Sequence, residues 1–254
     1  MLIDTHSHIF IEEFDGDTSA AISRAVANGV HKIILPNIDS STIKRLIDTS
    51  NSHPGICYPL IGLHPTSVKE NYIEELELVE NWLNRYRFYG IGEIGIDLYW
   101  DETFKKEQEF VFTRQINIAN NLGLPVSIHT RNSFEVAFNI IKKEKLSKLT
   151  GVFHCFSGTV EEAKAVIKAG FKIGVGGTVT FKNSGIDKII AQLSPQDILL
   201  ETDSPYLAPV PFRGKQNESA YLKYIAEKVA QIFDLPLEEI ETISTQNALQ
   251  IFKL

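Results

Sequence analysis

Two histidines separated by one residue, His6 and His8, follow a short apolar segment near the start of the chain. Side chains at positions i and i+2 share one face of a strand, so these two imidazoles should project together. Imidazole nitrogens are common ligands of divalent metals, and the pair could therefore form one wall of a metal site. A His-x-His pair alone is a weak signal, because a solvated turn explains it equally well.

Four further ionisable residues stand in an equivalent place, each after an apolar, strand-like run. These residues are Glu93, His129, His154 and Asp203. A set of six imidazoles and carboxylates exceeds what one tetrahedral zinc ion requires, and it suits two divalent ions about 3.5 to 4 Å apart. We therefore predict that all six bind two divalent metal ions, with Glu93 giving one oxygen to each. Ligands of these types accept Zn, Mg, Mn, Co or Ni.

The apolar runs must be positioned by regular elements, and their spacing predicts which. Eight strands are expected at about 2–6, 31–36, 56–62, 88–93, 125–129, 150–154, 171–175 and 197–202. Amphipathic segments between and after them predict helices at 18–28, 42–50, 73–86, 103–121, 134–145, 160–169, 186–193, 220–233 and 238–252. Regular alternation of this kind predicts an α/β fold, a (β/α)8 TIM barrel in one domain over residues 1–254. Active sites of such barrels lie at the C-terminal ends of the strands, where all six candidate ligands fall.

Composition narrows the function classes. The chain is 43% hydrophobic and 22% charged, and it has no apolar run of about 18 residues, so we expect no membrane-spanning segment. Its two cysteines, Cys57 and Cys155, make no disulfide framework, and the N-terminus has no basic signal-like region; cytoplasmic residence is the expectation. The formal charge of -7 argues against a broad basic surface for nucleic acid. A polyanionic substrate would have to be attracted locally. The sequence leaves the oligomeric state open, a monomer included.

Six ordered segments identify a family resemblance. They are Asp4-Thr-His-Ser-His8, Gly62-Leu-His-Pro65, Gly92-Glu-Ile-Gly-Ile-Asp97, Ser127-Ile-His-Thr-Arg131, His154-Cys-Phe-Ser-Gly158 and the segment from Leu200 to Pro209. In this order they resemble the motifs of TatD-like metal-dependent deoxyribonucleases, which belong to the amidohydrolase superfamily of barrels. The resemblance implies the same six metal ligands and hydrolysis of phosphodiester bonds in nucleic acid, usually DNA.

From the resemblance we expect two-metal activation of a water that attacks the phosphodiester, most of all in a DNase of exonuclease character acting on single-stranded DNA. The sequence leaves RNA as a substrate and endonuclease cleavage open. Asp203 would bind one metal and accept the proton of that water, and Glu93 would be the second catalytic residue. The predicted substrate-binding residues are His64, Arg131, Glu201 and Arg213. Glu201 could instead support a metal ligand from behind or form a structural salt bridge, and His64 could be a structural histidine before Pro65. Arg213 and Lys182 are the weaker candidates, because an exposed, solvated cation explains each of them. The aromatic residues Tyr99, Trp100 and Tyr206 could stack unpaired bases.

Two residues close to the motifs receive other interpretations. Cys155 adjoins His154 and should face the opposite side of its strand, towards the helices, where it would serve packing. Asp97 should orient the loop of Glu93 through backbone hydrogen bonds without being a metal ligand.

Two other functions remain open. The first is a dinuclear hydrolase of a C–N or ester bond; many such barrels resemble this one but bridge their metals with a carboxylated lysine on the fourth strand, and no lysine lies between Arg87 and Asp101. The second is a catalytically inactive, metal-stabilised interaction protein. The apparently complete ligand set argues against it, because structural zinc sites leave no open coordination position.

Overall fold

The structure is a computed structural model that describes residues 1–254, and it contains eight parallel strands. The strands are β1 (Leu2–Asp4), β2 (Val30–Leu35), β3 (Cys57–Pro59), β4 (Ile91–Asp97), β5 (Val126–Arg131), β6 (Gly151–Phe153), β7 (Phe171–Val175) and β8 (Ile198–Leu200). All eight predicted strands are present. The fourth was predicted to end at Glu93, and this was wrong. Its register against β5 shifts between Ile91 and Ile94, so Glu93 lies at an irregularity inside a strand that continues to Asp97.

Hydrogen bonds join neighbouring strands around a closed cylinder. β1, β2 and β3 pair in sequence order, and so do β4 to β8. A bridge between Ile61 and Ile91 connects the two groups on one side, and a bridge between Ser7 and Ser204 connects them on the other. The predicted (β/α)8 TIM barrel is therefore confirmed.

Nine helices surround the strands, at positions close to those predicted. They are α1 (Thr18–Ala27), α2 (Ile43–Ser52), α3 (Tyr72–Leu83), α4 (Lys105–Leu122), α5 (Phe134–Glu144), α6 (Val160–Lys168), α7 (Ile186–Ile190), α8 (Leu222–Phe233) and α9 (Leu237–Phe252). The apolar faces of α1 to α8 pack on the barrel in a cluster of 52 buried hydrophobic residues. The end of α9 packs in a second cluster of nine buried residues, which contains strand residues such as Ile3 and Leu199. None of these helices combines the length and apolarity needed to cross a membrane.

A glycine allows β4 and β5 to approach closely beside the candidate ligands. Gly95 has φ +145°, and a Cβ at this position would lie 1.9 Å from the carbonyl oxygen of His129. Only glycine fits, because any side chain would force the two backbones apart. The close pairing brings Glu93 and His129 to the same mouth of the barrel.

Candidate metal centre

Glu93 lies at the centre of the ionisable cluster, and its two oxygens face different partners. Its Oε2 atom is 3.1 Å from Nε2 of His6 and 3.2 Å from Nε2 of His8. Asp203 completes this side, with Oδ1 at 3.9 Å from the His6 nitrogen and 3.8 Å from the His8 nitrogen. His6 and His8, which follow β1, and Asp203, which follows β8, thus lie around the carboxylate of Glu93 on β4.

The other oxygen of Glu93 faces three further histidines. Its Oε1 atom lies 2.8 Å from Nε2 of His154, 2.9 Å from Nδ1 of His129 and 3.2 Å from Nε2 of His64. All six predicted ligands therefore lie together at one barrel mouth, and His64, predicted as a substrate contact, joins them. Glu93 is 2% exposed, so this charge is buried among imidazoles.

The arrangement of lone pairs fits metal cations. Nε2 of His6 is 3.2 Å from Nε2 of His8, and Nδ1 of His129 is 3.3 Å from Nε2 of His154. Two neutral imidazole nitrogens can face each other only if one carries a proton, whereas a cation satisfies both lone pairs. The candidate ligand atoms form three overlapping groups, each with all atoms within 4.8 Å of one another. A central carboxylate with one oxygen towards each side suits two divalent ions.

Burial and mutual charge determine the protonation of this cluster without metal. Burial would raise the pKa of Glu93, but the surrounding imidazoles, led by His64, hold that pKa well below its usual range. Burial lowers the pKa of His6 well below its ordinary value. Burial also opposes a charged His154, yet the charge of Glu93 raises the pKa of His154 well above normal. Glu93 therefore stays ionised, which is the state a metal ligand needs.

Two histidines are oriented by polar partners on the side away from Glu93. Nδ1 of His6 is 3.0 Å from the hydroxyl oxygen of Ser127, and Nε2 of His129 is 2.9 Å from Oδ2 of Asp97. The Asp97 carboxylate only accepts, so it keeps a proton on Nε2 of His129 and leaves the Nδ1 lone pair free for a metal. The Ser127 hydroxyl can accept the Nδ1 proton of His6 in the same way and orients the ring with Nε2 towards Glu93. The role predicted for Asp97 was incomplete: besides its hydrogen bonds to loop backbone, it fixes the tautomer of His129.

His64 is held in the opposite tautomer. The amide of Thr66 donates to its Nδ1 over 3.2 Å, so in the neutral ring the proton sits on Nε2, which points at Glu93. Burial lowers the pKa of His64 and favours this neutral form. With its proton on Nε2, His64 is better suited to donate a hydrogen bond to an anion beside Glu93 than to serve as a further metal ligand.

Glu201 lies behind His154, which agrees with its predicted role as support for a metal ligand and not with the alternative of a substrate contact. It is fully buried, its Oε1 accepts a hydrogen bond from the Cys155 amide, and the same oxygen is 3.7 Å from Nδ1 of His154. Direct substrate contact is excluded for a side chain with no exposed surface. Glu201 instead places a negative charge behind His154, where Gly174 leaves room for it: a Cβ on that glycine would lie 2.6 Å from Oε2 of Glu201.

The prediction that Cys155 faces the helices was also wrong. β6 ends at Phe153, and Cys155 has φ +44°, so the alternation of a strand no longer determines its direction. Its side chain lines the cavity above the cluster. Burial raises the pKa of the Cys155 thiol well above its ordinary value, so the residue remains a neutral thiol at neutral pH.

A cavity of about 690 Å³ opens over the candidate ligands. Of the predicted substrate contacts, His64 and Arg131 line it, and so do the aromatic residues Trp100 and Tyr206. Arg213 and Lys182 do not line this cavity, and both are exposed. The guanidinium of Arg213 instead lies over the ring of Phe181, 4.6 Å from its centroid. The substrate contact predicted for Arg213 therefore does not fit this arrangement.

Ser127 was missed by the sequence reasoning, although a signal existed. It precedes His129 by two residues and so shares its strand face, as Asp97 shares the face of Glu93. The alternation of side chains could have placed Ser127 on the interior face, but it could not have named His6, on a distant strand, as its partner. Thr66 carried no such signal, because it lies in a short 3-10 helix after His64.

Comparison with known proteins agrees with this site. The sequence model of a family described as TatD related DNase matches residues 3–253. The chain belongs to the TatD family. Its TatD relatives include YabD of Bacillus subtilis, named an uncharacterised metal-dependent hydrolase, which is 38% identical over 255 residues with 100% of both chains covered. The resemblance drawn from the six motifs is confirmed.

Solved TatD structures share the fold. The crystal structure of YjjV, a TatD homologue from Escherichia coli, matches with a TM-score of 0.93 and 30% identity, covering 100% of this chain and 98% of that one. A TatD family hydrolase from Entamoeba histolytica matches with a TM-score of 0.85 at 22% identity, covering 98% of this chain and 97% of that one. This TatD protein is thus a metal-dependent hydrolase built on a TIM barrel.

Proposed function

We propose that this protein hydrolyses phosphodiester bonds in nucleic acid with two divalent ions, as a DNase of exonuclease character acting on single-stranded DNA. One observation carries the proposal: Glu93 stands between two groups of histidines, with Asp203 at the edge, at the base of an open cavity. Two ions there would lower the pKa of water and stabilise charge on phosphoryl oxygens.

The local charge suits an anionic substrate despite the formal charge of -7. Two divalent ions bring four positive charges against the carboxylates of Glu93 and Asp203. Arg131 adds a guanidinium at the cavity wall, where it could bind a phosphate through two parallel hydrogen bonds. Attraction of the substrate would therefore depend on the loaded site and not on the protein surface.

Asp203 and His64 have complementary proton roles in this proposal. The side chain of Asp203 is 13% exposed at the base of the cavity, so its carboxylate could accept a proton from a water there. Burial raises its pKa to about 6 in the metal-free protein. His64, protonated at Nε2, can donate a hydrogen bond to the phosphate or to the leaving oxygen. Both residues line the same cavity.

Two features favour phosphodiesters over C–N or ester bonds. The family description names a DNase activity. β4 supplies Glu93 as the carboxylate between the two groups of histidines and contains no lysine that could be carboxylated. The inactive interaction protein is disfavoured, because the ligands border an open cavity. We also propose cytoplasmic residence, in keeping with free Cys57 and Cys155.

The test is a substrate panel with protein loaded separately with Zn, Mn, Mg, Co or Ni. Single-stranded DNA, duplex DNA, RNA, dipeptides and lactones should be compared, and the ends of any products mapped. We expect mononucleotide release from single-stranded DNA to be fastest. Turnover of dipeptides or lactones without cleavage of any nucleic acid would replace the proposal with the C–N or ester alternative.

A further inference from the structure

Three side chains form a platform at the rim of the cavity: Tyr99, Trp100 and Arg131. The guanidinium carbon of Arg131 lies 3.9 Å from the ring centroid of Tyr99 and 5.0 Å from that of Trp100. The two aromatic rings meet edge to face, 4.9 Å between centroids. Tyr99 is 52% exposed and Trp100 is 69% exposed. Large aromatic surfaces left open beside a cavity indicate a ligand that covers them.

One carboxylate connects this platform to the metal centre. Oδ1 of Asp97 accepts hydrogen bonds from the amides of Tyr99, at 2.9 Å, and Trp100, at 3.3 Å. Its Oδ2 is 2.9 Å from Nε2 of His129. On the other strand, the carbonyl of Arg131 accepts from the amide of Leu98 over 2.9 Å. The platform is therefore fixed at one distance from the candidate ligands and does not sit on an independent loop.

We propose that this platform is a base-stacking subsite: an unpaired base of the bound strand stacks on Trp100 while Arg131 contacts an adjoining phosphate. This inference rests on the proposed nuclease function. Stacking on an aromatic ring tolerates every base, because each has a π-face, and a guanidinium over the rings adds a cation for the backbone. A base inside a duplex has both faces covered by its neighbours. The platform thus selects single strands and frayed ends.

Tryptophan fluorescence can report the stacking directly, because the chain has two tryptophans. Trp82 on α3 is partly buried, and Trp82→Phe leaves Trp100 as the only indole. Metal-loaded Trp82→Phe protein should lose fluorescence on titration with a cleavage-resistant phosphorothioate octathymidylate. An octamer of abasic nucleotides, with phosphates but no bases, should cause little quenching. Equal quenching by both strands would overturn the subsite.

Binding constants supply a matched test. Metal-loaded wild-type protein should bind the phosphorothioate octathymidylate roughly five- to hundredfold more tightly than the abasic octamer, the range expected for stacking one base. In Trp100→Ala this preference should largely disappear. Phe110→Ala is the control: Phe110 is 52% exposed but lies on α4, outside the residues that line the cavity. The Phe110→Ala protein should prefer octathymidylate to the abasic octamer as strongly as the wild type does. A Trp100→Ala protein that keeps the full preference contradicts the proposal.

The two proposals fail in different ways. If no metal-loaded form cleaves any phosphodiester, the nuclease function falls, while the quenching and binding results still decide whether Trp100 receives a base. If DNA is cleaved but octathymidylate and the abasic octamer bind equally well, the stacking subsite is contradicted and the nuclease function is retained.

Discussion

At the scale of single residues, polar groups behind His129 and His6 determine which ring nitrogen each histidine turns towards Glu93. Asp97 contacts Nε2 of His129 and so turns Nδ1 towards Glu93, whereas Ser127 contacts Nδ1 of His6 and turns Nε2 inwards. Burial opposes an ionised Asp97, but hydrogen bonds from His129 and the Tyr99 amide bring its pKa below the ordinary value. Asp97 is thus an anion that positions His129.

Asp97→Asn should weaken metal binding by about ten- to hundredfold, the usual cost of losing such a partner. The carboxamide removes the negative charge that favours a proton on Nε2 of His129. Competition with a chelator measures the affinity without relying on turnover. Asp101→Asn is the matched control, since the side chain of Asp101 is 47% exposed and lies near Lys69, with no contact to a histidine. Equal affinities in the two variants would contradict the role of Asp97.

Asp203→Asn should reduce kcat by about hundredfold or more at saturating metal, because the variant lacks a proton acceptor in the cavity. The pKa of about 6 belongs to the metal-free site, and bound divalent ions would keep the Asp203 carboxylate ionised to lower pH, so the wild-type rate should show no step from this group between pH 6 and 8. Rates between pH 4.5 and 8, with thermal unfolding as the check on folding, test both points. Full activity in Asp203→Asn would show that another group takes the proton.

At the scale of elements, β7 has to leave space for a side chain from the end of β8. A Cβ on Gly174 would meet Oε2 of Glu201 at 2.6 Å, Oε1 at 2.8 Å and Cα of His154 at 2.8 Å. All three atoms are buried, so none can move into solvent. The packing of β7 against its two neighbours therefore determines where Glu201 and His154 lie.

Gly174→Ala should lower the free energy of unfolding by about 1 to 3 kcal/mol, the range typical of overpacking, and should weaken metal binding through His154. Gly176→Ala is the control two residues along the chain. A Cβ there would lie 3.8 Å from the nearest atom, an ordinary contact, so we expect a much smaller effect. Urea unfolding of both metal-free variants gives the comparison, and a similar loss in both would count against the predicted crowding.

At the scale of the whole molecule, polar contacts close the barrel between its first and last strands. The Asp4 carboxylate on β1 accepts hydrogen bonds from the amide of Thr202, at 2.9 Å, and from its hydroxyl, at 2.5 Å. Nearby, the hydroxyl of Thr5 donates to the carbonyl of Leu200 over 3.0 Å. Burial raises the pKa of Asp4 to about 7, although these hydrogen bonds oppose the shift.

The raised pKa of Asp4 predicts that this residue stabilises the metal-free protein less as pH rises. A carboxyl whose pKa is higher in the folded than in the unfolded state binds its proton more tightly when folded, so its stabilising contribution is full below pH 4 and disappears above pH 7. Between pH 5 and 8 the loss from Asp4 is on the order of 2 to 3 kcal/mol. Asp4→Asn removes this contribution, and urea unfolding of both proteins at the two pH values measures it. Identical pH dependence in the two proteins would contradict the shifted Asp4.

The eight strands, their order and the six ligand candidates could be predicted from the sequence alone. Apolar runs with polar ends are local patterns, and a barrel brings the C-terminal ends of all strands to one mouth, so the approximate end of each strand was sufficient. This is why Asp203 could be grouped with His6 across nearly two hundred residues. Even the wrong end of β4 did no harm, because Glu93 still faces the interior.

Only the tertiary structure decided how the side chains around that mouth are oriented. Side chains alternate between the two faces only while a strand is regular. Cys155, with φ +44°, lies beyond the end of β6, so this alternation does not apply to it. Its direction comes from a hydrogen bond to Glu201, 46 residues away, which also explains why Glu201 is buried and not in contact with solvent. Arg213 is exposed, and its guanidinium lies over the ring of Phe181, 32 residues earlier in the chain, 4.6 Å from the ring centroid. Such contacts join distant segments, so no local pattern in the sequence contains them.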